Sequence, residues 1–201
     1  IEAVVGAVYV PVTLKMRLGC DDTSHNAADI ARRAEASGVQ MITVHGRTRC
    51  QFYKGHADWA AIRPVVDAVD VPVIANGDIV DTPSAEAALA ASGAAGVMVG
   101  RGIQGAPWRI AEIAHALGQG PAPDIPRGDD LTAMVRGHYD ETLAFYGETL
   151  GARVIRKHLG WYRDAAAPPT ALRKHILTAT PDEVRAALAD ALVPSAESAA
   201  A

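Results

Sequence analysis

The sequence has little cysteine, no excess of positive charge and no long apolar run. Its two cysteines, Cys20 and Cys50, provide no disulfide framework for a chain of 201 residues, and no CxxC pair indicates a metal site. This usage is typical of a reducing, cytoplasmic setting. The formal net charge of −4 excludes an overall basic footprint, so contact with nucleic acid requires a local patch of cations. No apolar run approaches the ~20 residues that cross a bilayer, so we expect no membrane segment.

The start of the chain lacks two further features, an initiator Met and the basic lead of a signal peptide. Ile1 opens directly into an apolar segment with a helical pattern. We therefore expect the chain to be a fragment of a longer protein or the product of a truncated gene. The rest is ordinary for a soluble globular protein, because 49% of the residues are hydrophobic and 21% are charged.

The first half of the sequence alternates short apolar runs with helical patterns. Runs rich in Val and Ile predict strands at 12–16, 41–45, 72–75 and 96–99. Helical patterns follow each run, including one from Trp59 to about Val69 and one that Thr82 caps before Pro83. Consecutive βα units of this kind predict a parallel sheet.

Two architectures contain such a sheet, an open doubly wound sheet and a (β/α)8 barrel. Glycine and polar residues follow every predicted strand, and a barrel builds its active site from the loops at that end. This regularity favours the barrel. Because a complete barrel takes ~250 residues, the sequence predicts an α/β fold, with half of a TIM barrel over residues 1–118.

A Pro- and Gly-rich linker is predicted at 119–130. A small all-helical domain follows at 131–193, and residues 194–201 are predicted to be a disordered tail. The helical patterns of this domain cover about 131–147, 149–163, 170–178 and 181–192.

Basic residues concentrate between 153 and 175 of the helical domain, in contrast to the rest of the chain. Arg153, Arg156 and Lys157 have the spacing that places them on one helical face. Such a face suits contact with a phosphate backbone. The alternative is an ordinary solvated face. Further cations in this stretch are Arg163, Arg173, Lys174 and His175.

Two polar residues interrupt or end predicted strands. Lys15 stands within an apolar run, where an amine is costly to bury unless it meets an anion or a polar ligand. His45 ends the second strand, directly before a glycine. At the mouth of a barrel both could hydrogen-bond a ligand. The alternatives are a lysine that reaches solvent and a structural histidine.

Two glycine-containing turns end the third and fourth strands, Asn76-Gly77-Asp78 and Gly100-Arg101-Gly102. Glycine allows backbone N–H groups to approach phosphate oxygens, and an arginine adds a fork of donors. On successive strand ends the pair predicts a phosphate site. The alternative is that both are plain turns. The loop 46–59 carries Arg47 and Arg49 among aromatic residues, a mixture that suits contacts with nucleic acid. The alternative here is a solvated loop whose aromatic residues pack onto the barrel.

In their order along the chain, these segments resemble the bacterial tRNA-dihydrouridine synthases, closest to the subgroup once described as nitrogen-regulation proteins. The segments are Pro11–Gly19 (PVTLKMRLG), Ile42–Arg49 (ITVHGRTR), Tyr53–Trp59 (YKGHADW), Pro72–Ile79 (PVIANGDI), Gly96–Gly102 (GVMVGRG) and Gly105–Trp108 (GAPW). A weaker likeness continues through His158–Tyr162. Each segment alone is unspecific, but the ordered set is specific.

The resemblance implies that residues 1–118 are the C-terminal half of an FMN-binding TIM barrel and that a helical tRNA-binding domain follows. In that family NADPH reduces the flavin, a hydride passes from flavin N5 to C6 of a uridine flipped out of its stack, and a cysteine protonates C5. The residue roles that the resemblance implies follow from position. Lys15 and His45 would bind the flavin ring; Asn76, Gly77, Asp78, Gly100 and Arg101 would hold the ribityl phosphate; Arg47, Arg49, Arg153, Arg156 and Lys157 would face tRNA.

The sequence departs from the family at the proton donor. The family's cysteine lies in an Asn-x-Gly-Cys-Pro segment, which this chain does not contain, and neither Cys20 nor Cys50 matches its position. We therefore assign no catalytic residue and expect the isolated chain to be inactive. Two alternatives stay open, a non-catalytic RNA-binding fragment and another phosphate-binding TIM-barrel enzyme.

Overall fold

The structure is a computed structural model that describes residues 1–166 and 179–192. The chain forms two compact units. The first comprises Ile1–Ile103 and Arg109–Pro121, and the second takes in Gln104–Trp108 and the chain from Ala122. None of the helices in the described residues combines the length and apolarity needed to span a membrane.

The first unit is built on a four-stranded parallel sheet whose neighbours follow chain order. Its strands are β1 (Thr13–Arg17), β2 (Met41–His45), β3 (Val73–Asn76) and β4 (Gly96–Met98). Its helices are α1 (Glu2–Val5), α2 (Ala27–Ala36), α3 (Arg63–Val66), α4 (Thr82–Ser92) and α5 (Arg109–Ala116), with 3-10 turns at Ala60–Ile62 and Arg101–Ile103. The predicted α/β fold is confirmed, and this order of strands and helices fits part of a TIM barrel.

The two faces of the sheet differ in chemistry because side chains alternate along each strand. On one face Ile42 and Val44 are fully buried and pack with Ala31 and Ala34 of α2. The strand register places Lys15 beside Thr43 on the opposite face, and Arg17, His45 and Asn76 side by side. The helix-covered face therefore holds the core, and the opposite face carries the polar residues.

Two helix boundaries differ from the sequence-based prediction. The helix predicted from Trp59 to Val69 is a 3-10 turn followed by the short α3, because Pro64 has no N–H to continue an α-helical ladder. The cap of α4 is Asp81, which accepts a hydrogen bond from the Ser84 N–H at 2.9 Å. Thr82 is the first residue of that helix. Ser84 completes the reciprocal capping box.

The second unit contains α6 (Gly128–Tyr146), α7 (Glu148–Ala166) and α8 (Pro181–Leu192). Its core is formed by Val135 and Tyr139 of α6, Ile155 and Leu159 of α7 and Leu188 of α8. Helix α6 begins at Gly128, inside the predicted linker 119–130. The predicted helix at 170–178 and the predicted tail at 194–201 lie outside the described residues.

Candidate functional site

Most of the predicted cofactor residues lie at the carboxyl ends of the four strands. His45 and Asn76 are the last residues of β2 and β3 and are register partners. We call this group the strand-end cluster, which consists of Lys15, His45, Asn76, Gly77, Asp78, Gly100 and Arg101. The Asn76 Nδ2 donates to the Met98 carbonyl at 2.8 Å and thereby joins β3 to β4 at this end. The structure therefore brings residues from the ends of β2, β3 and β4 to one edge of the sheet, and Lys15 lies two residues before the end of β1.

Arg47, which the sequence predicts to face tRNA, is buried beneath the loop instead, with only 2% of its side chain exposed. Its Nε donates to the Lys54 carbonyl at 3.2 Å, and one terminal nitrogen donates to the Gly55 carbonyl at 2.7 Å. The same nitrogen lies 2.5 Å from an Asp78 carboxylate oxygen. This guanidinium therefore holds the loop to β3, and the prediction for Arg47 is wrong. Arg49, in contrast, is exposed.

Asp78 is the residue after β3 to which the loop is bound. Its Oδ2 also accepts the Ala57 N–H at 2.8 Å, and its φ of +55° lies in the left-handed region that non-glycine residues rarely adopt. Burial alone would raise the pKa of the carboxyl, but the hydrogen bonds from Arg47 and Ala57 and the charges of Arg47 and Arg101 lower it overall. Asp78 is therefore an anion neutralised by protein groups.

His45 is held as a neutral ring. Its Nε2 lies 3.2 Å from a terminal nitrogen of Arg47, and a guanidinium has donors only, so Nε2 must accept and Nδ1 carries the proton. The pKa of His45 is lowered to about 4, and burial of the ring is the largest cause. The positive charges of Arg17, Lys15 and Arg47 also lower this pKa, whereas the negative charge of Asp78 raises it. The ring therefore offers an uncharged N–H donor at neutral pH.

This neutral state predicts a pH dependence of stability. The unfolded histidine takes up a proton below its ordinary pKa of 6.5, whereas the folded one does so only at about 4. The free energy of unfolding should therefore fall as the pH drops through this window, by on the order of 2 kcal/mol. Urea unfolding of the chain and of His45→Gln, which keeps an acceptor near the Nε2 position, measures the effect. We expect the pH slope to be smaller in the variant, and identical slopes would contradict the assignment.

Gly77 provides the space in which His45 sits. Its φ is +113°, and a Cβ at this position would lie 2.7 Å from His45 Cδ2 and 2.8 Å from the Ala57 Cβ. The Trp59 indole N–H donates to the Gly77 carbonyl at 2.8 Å. Only glycine combines this backbone angle with so close an approach. The aromatic residue Trp59 thus supports the turn from the loop side.

Arg101 of the cluster and the partly buried Arg17 both lie against the exposed ring of Tyr53. The guanidinium carbon of Arg101 is 4.8 Å from the centre of the Tyr53 ring, and that of Arg17 is 5.6 Å from it. Arg17 also donates to the carbonyls of Thr48 and Phe52 at 2.7 and 2.8 Å. The sequence-based prediction omitted Arg17. Its position two residues after Lys15, on the same side of a strand, is the signal that could have found it.

Lys15 and Gly100 complete the cluster as accessible groups. Lys15 as a whole is exposed, but its amine is partly buried. This partial burial and the nearby charge of Arg17 lower the pKa of Lys15. A Cβ added at Gly100 would have no atom within 4 Å. The cluster therefore rests on the buried Arg47, which contacts His45 and Asp78, and presents donors that a ligand can reach.

Helix α7 of the second unit carries the predicted tRNA-facing residues. Arg153 and Lys157 are exposed, and Arg156 is partly buried. The Arg163 side chain and residues Arg173, Lys174 and His175 lie outside what the structure describes.

A cluster of rings that the sequence did not predict lies between α6 and α7. His138 is 5.0 Å from His158, measured between ring centroids, and its Nδ1 is 3.1 Å from the Tyr162 hydroxyl.

Comparisons with known proteins agree on one family. The family model for dihydrouridine synthase (Dus) matches residues 1–197. A probable tRNA-dihydrouridine synthase of Rhodobacter capsulatus is 62% identical over 90% of this chain and 55% of its own length. One from Rhizobium leguminosarum is 51% identical over 96% of this chain and 59% of its own length. The tRNA-dihydrouridine synthase B of Pseudomonas putida is 43% identical over 81% of this chain and 48% of its own length. The chain spans about half the length of these curated relatives.

Proposed function

The chain belongs to the dihydrouridine synthase family, and we propose that it takes part in the reduction of uridine to 5,6-dihydrouridine in tRNA. FMN would be the resident cofactor and NADPH the reductant. The strand-end cluster carries this proposal, because it offers a neutral histidine and two cations at one edge of a parallel sheet. That edge is where parallel α/β folds bind their ligands.

The chemistry of the donors fits FMN. The cofactor presents a phosphate and ring carbonyl and nitrogen acceptors, and the cluster presents the Lys15 amine, the Arg101 guanidinium and the His45 Nδ1–H. Its one carboxylate, Asp78, is already paired with Arg47 and Ala57 and so adds little repulsion. When bound, FMN supplies a carrier that takes up and releases two electrons.

Each residue then has a binding or positioning role. Lys15 and His45 donate to the flavin ring, and the open backbone at Gly100 lets the phosphate approach beside Arg101. Asn76 and Gly77 shape the turn between the residues that bind the ring and those that bind the phosphate. Asp78 acts through Arg47, by holding the loop 46–59 against the end of β3. No residue of the cluster is assigned as the acid that protonates C5.

Binding of FMN to the purified chain tests the cofactor assignment. Lys15→Ala and Arg101→Ala should each weaken binding about 10-fold or more, because each removes a charged hydrogen-bond donor. Quenching of flavin fluorescence measures the affinity. The matched control is Arg33→Ala, an exposed cation on α2, which packs on the opposite face of the sheet. Equal losses in all three variants would show a nonspecific charge effect and contradict the site.

Deletion of the gene that encodes this chain tests the activity. We expect dihydrouridine to disappear from at least one tRNA position, as measured by mass spectrometry of tRNA digests. The intact gene should restore the base, and the same gene carrying Lys15→Ala should restore less of it. An unchanged dihydrouridine content at every position would overturn the proposal and favour a different phosphate-binding enzyme.

The basic face of α7 is proposed to contact the tRNA backbone. Replacing Arg153 and Lys157 with Ala should weaken tRNA binding and reduce its dependence on salt, because fewer counterions are released. We expect a loss of about 10-fold at moderate ionic strength. Fluorescence anisotropy with labelled tRNA measures both quantities, and Arg32→Ala on α2 is the control for charge. Binding that keeps its salt dependence in the double variant would contradict this face.

A further inference from the structure

Cys20 and Cys50 lie side by side although they are far apart in the sequence. The pairing of β1 and β2 continues past the strand ends through backbone hydrogen bonds. Arg49 N–H donates to the Gly19 carbonyl at 2.9 Å, and Cys50 N–H donates to the Cys20 carbonyl at 2.8 Å. Both cysteines are free thiols and are exposed. The two βα loops therefore present their sulfur atoms together at the surface.

A third metal ligand stands beside the two thiols. The sulfur atoms of Cys20 and Cys50 and a carboxylate oxygen of Asp21 all lie within 4.8 Å of one another. Ligands of a tetrahedral zinc ion are separated by roughly 3.5–3.8 Å, given Zn–S bonds of about 2.3 Å. The group is therefore already close to the size of a metal site. In the described part of the chain no other set of three His, Cys, Asp or Glu residues meets this spacing.

The loop that carries Cys20 and Asp21 is tightly organised. The Asp21 Oδ1 accepts hydrogen bonds from Thr23 N–H at 3.0 Å, Thr23 Oγ1 at 2.8 Å and Ser24 Oγ at 2.9 Å. The turn closes so tightly on Gly19 that a Cβ there would come within 1.8 Å of the Ser24 carbonyl oxygen. Outer hydrogen bonds of this kind fix the direction of a ligating carboxylate. All three of these hydrogen bonds fall on the same carboxylate oxygen, Oδ1.

We propose that Cys20, Asp21 and Cys50 bind a zinc ion, with water as the fourth ligand. Two thiolates and a carboxylate are ligands that Zn2+ prefers, whereas Mg2+ and Ca2+ require oxygen ligands throughout. Binding releases one proton from each thiol and changes no oxidation state. The bound ion joins the loop after β1 to the loop after β2. Since Arg47 stands on the second loop, zinc also restrains the segment that carries the Arg47–Asp78 ion pair.

Zinc titration of the full chain tests this site. The metal-free protein is kept reduced with a phosphine, its two thiols are counted, and zinc is added in competition with a chromophoric chelator. We expect one zinc per chain. Cys20→Ser and Cys50→Ser should each weaken binding at least about 100-fold, and Asp21→Asn about 10-fold. The matched control is Asp22→Asn, an exposed neighbour that should bind zinc like the unchanged chain.

Cobalt provides a readout that is independent of affinity. Co2+ bound to two thiolates gives an intense near-ultraviolet charge-transfer band, which should be lost when either cysteine becomes serine and kept in Asp22→Asn. The proposal is overturned if reduced protein takes up no zinc at equimolar concentration, or if both serine variants bind as tightly as the unchanged chain. It is also overturned if the reduced pair ignores zinc but is converted by glutathione disulfide to a Cys20–Cys50 disulfide.

Discussion

Arg47→Ala should destabilise the first unit by about 3–5 kcal/mol, because it removes one partner of a largely buried ion pair. The guanidinium satisfies the carbonyls of Lys54 and Gly55 and the carboxylate of Asp78 at once. Without it, that carboxylate faces the loop with only the Ala57 N–H as partner. Since a domain of this size has a total stability of 5–15 kcal/mol, roughly, the loss is a large fraction.

Urea unfolding followed by circular dichroism measures the global effect. Hydrogen exchange at the Ala57 amide measures the local one, because this N–H is bonded to Asp78. Exchange should accelerate in Arg47→Ala even under conditions where the chain is fully folded. The same variant should also lose FMN affinity, since the loop is released from Asp78 of the cluster.

Arg49→Ala is the matched control for stability, because Arg49 lies on the same loop and is exposed. We expect its free energy of unfolding to change by less than about 0.5 kcal/mol. Asp78→Asn, alone and combined with Arg47→Ala, completes a double-mutant cycle. If the two losses simply add, the ion pair is not what holds the loop, and the assignment of Arg47 as its anchor is incorrect.

The strands and the position of the cluster are predictable from the sequence for a simple reason. Runs of Val and Ile between Pro or Gly mark each strand, and parallel strands must all end at one edge. His45 and Asn76 stand at the ends of two successive predicted strands, and the register places them side by side although a long segment separates them. The alternation along β1 likewise separates Lys15 from the apolar Leu14 and Met16, which pack into the core.

The burial of Arg47 is not predictable in the same way. Its partners are backbone carbonyls of its own loop and a carboxylate on the next strand end, and no periodicity marks such contacts. In the sequence Arg47 and Arg49 are equivalent cations two residues apart in a polar loop. Only the folded loop separates the buried arginine from the exposed one. The pairing of Cys20 with Cys50 escapes the sequence for a related reason, since it depends on the two loops running together beyond the strands.

Gly77→Ala should be about as damaging as Arg47→Ala, through sterics instead of charge. The backbone angle of +113° is unfavourable for any residue with a Cβ, and that Cβ would overlap His45 on one side and Ala57 on the other. Strain of this kind and overpacking each cost about 1–3 kcal/mol, so we expect a loss of about 3–5 kcal/mol in the free energy of unfolding. Displacement of the ring should also separate His45 Nε2 from Arg47. Urea unfolding measures the loss, and NMR titration of His45 should show its pKa rising towards 6.5.

Gly100→Ala separates this steric role of glycine from a ligand-binding one. A Cβ at Gly100 would meet no atom within 4 Å, so the free energy of unfolding should stay within about 0.5 kcal/mol of the unchanged chain. FMN affinity should nevertheless fall, because the added methyl group stands where the proposed phosphate approaches the backbone. The two variants should therefore differ in kind, one losing stability and affinity together and the other losing affinity alone. If Gly77→Ala retains full stability, the tight contact of this turn with His45 does not exist in solution, and the neutral ring of His45 must have another cause.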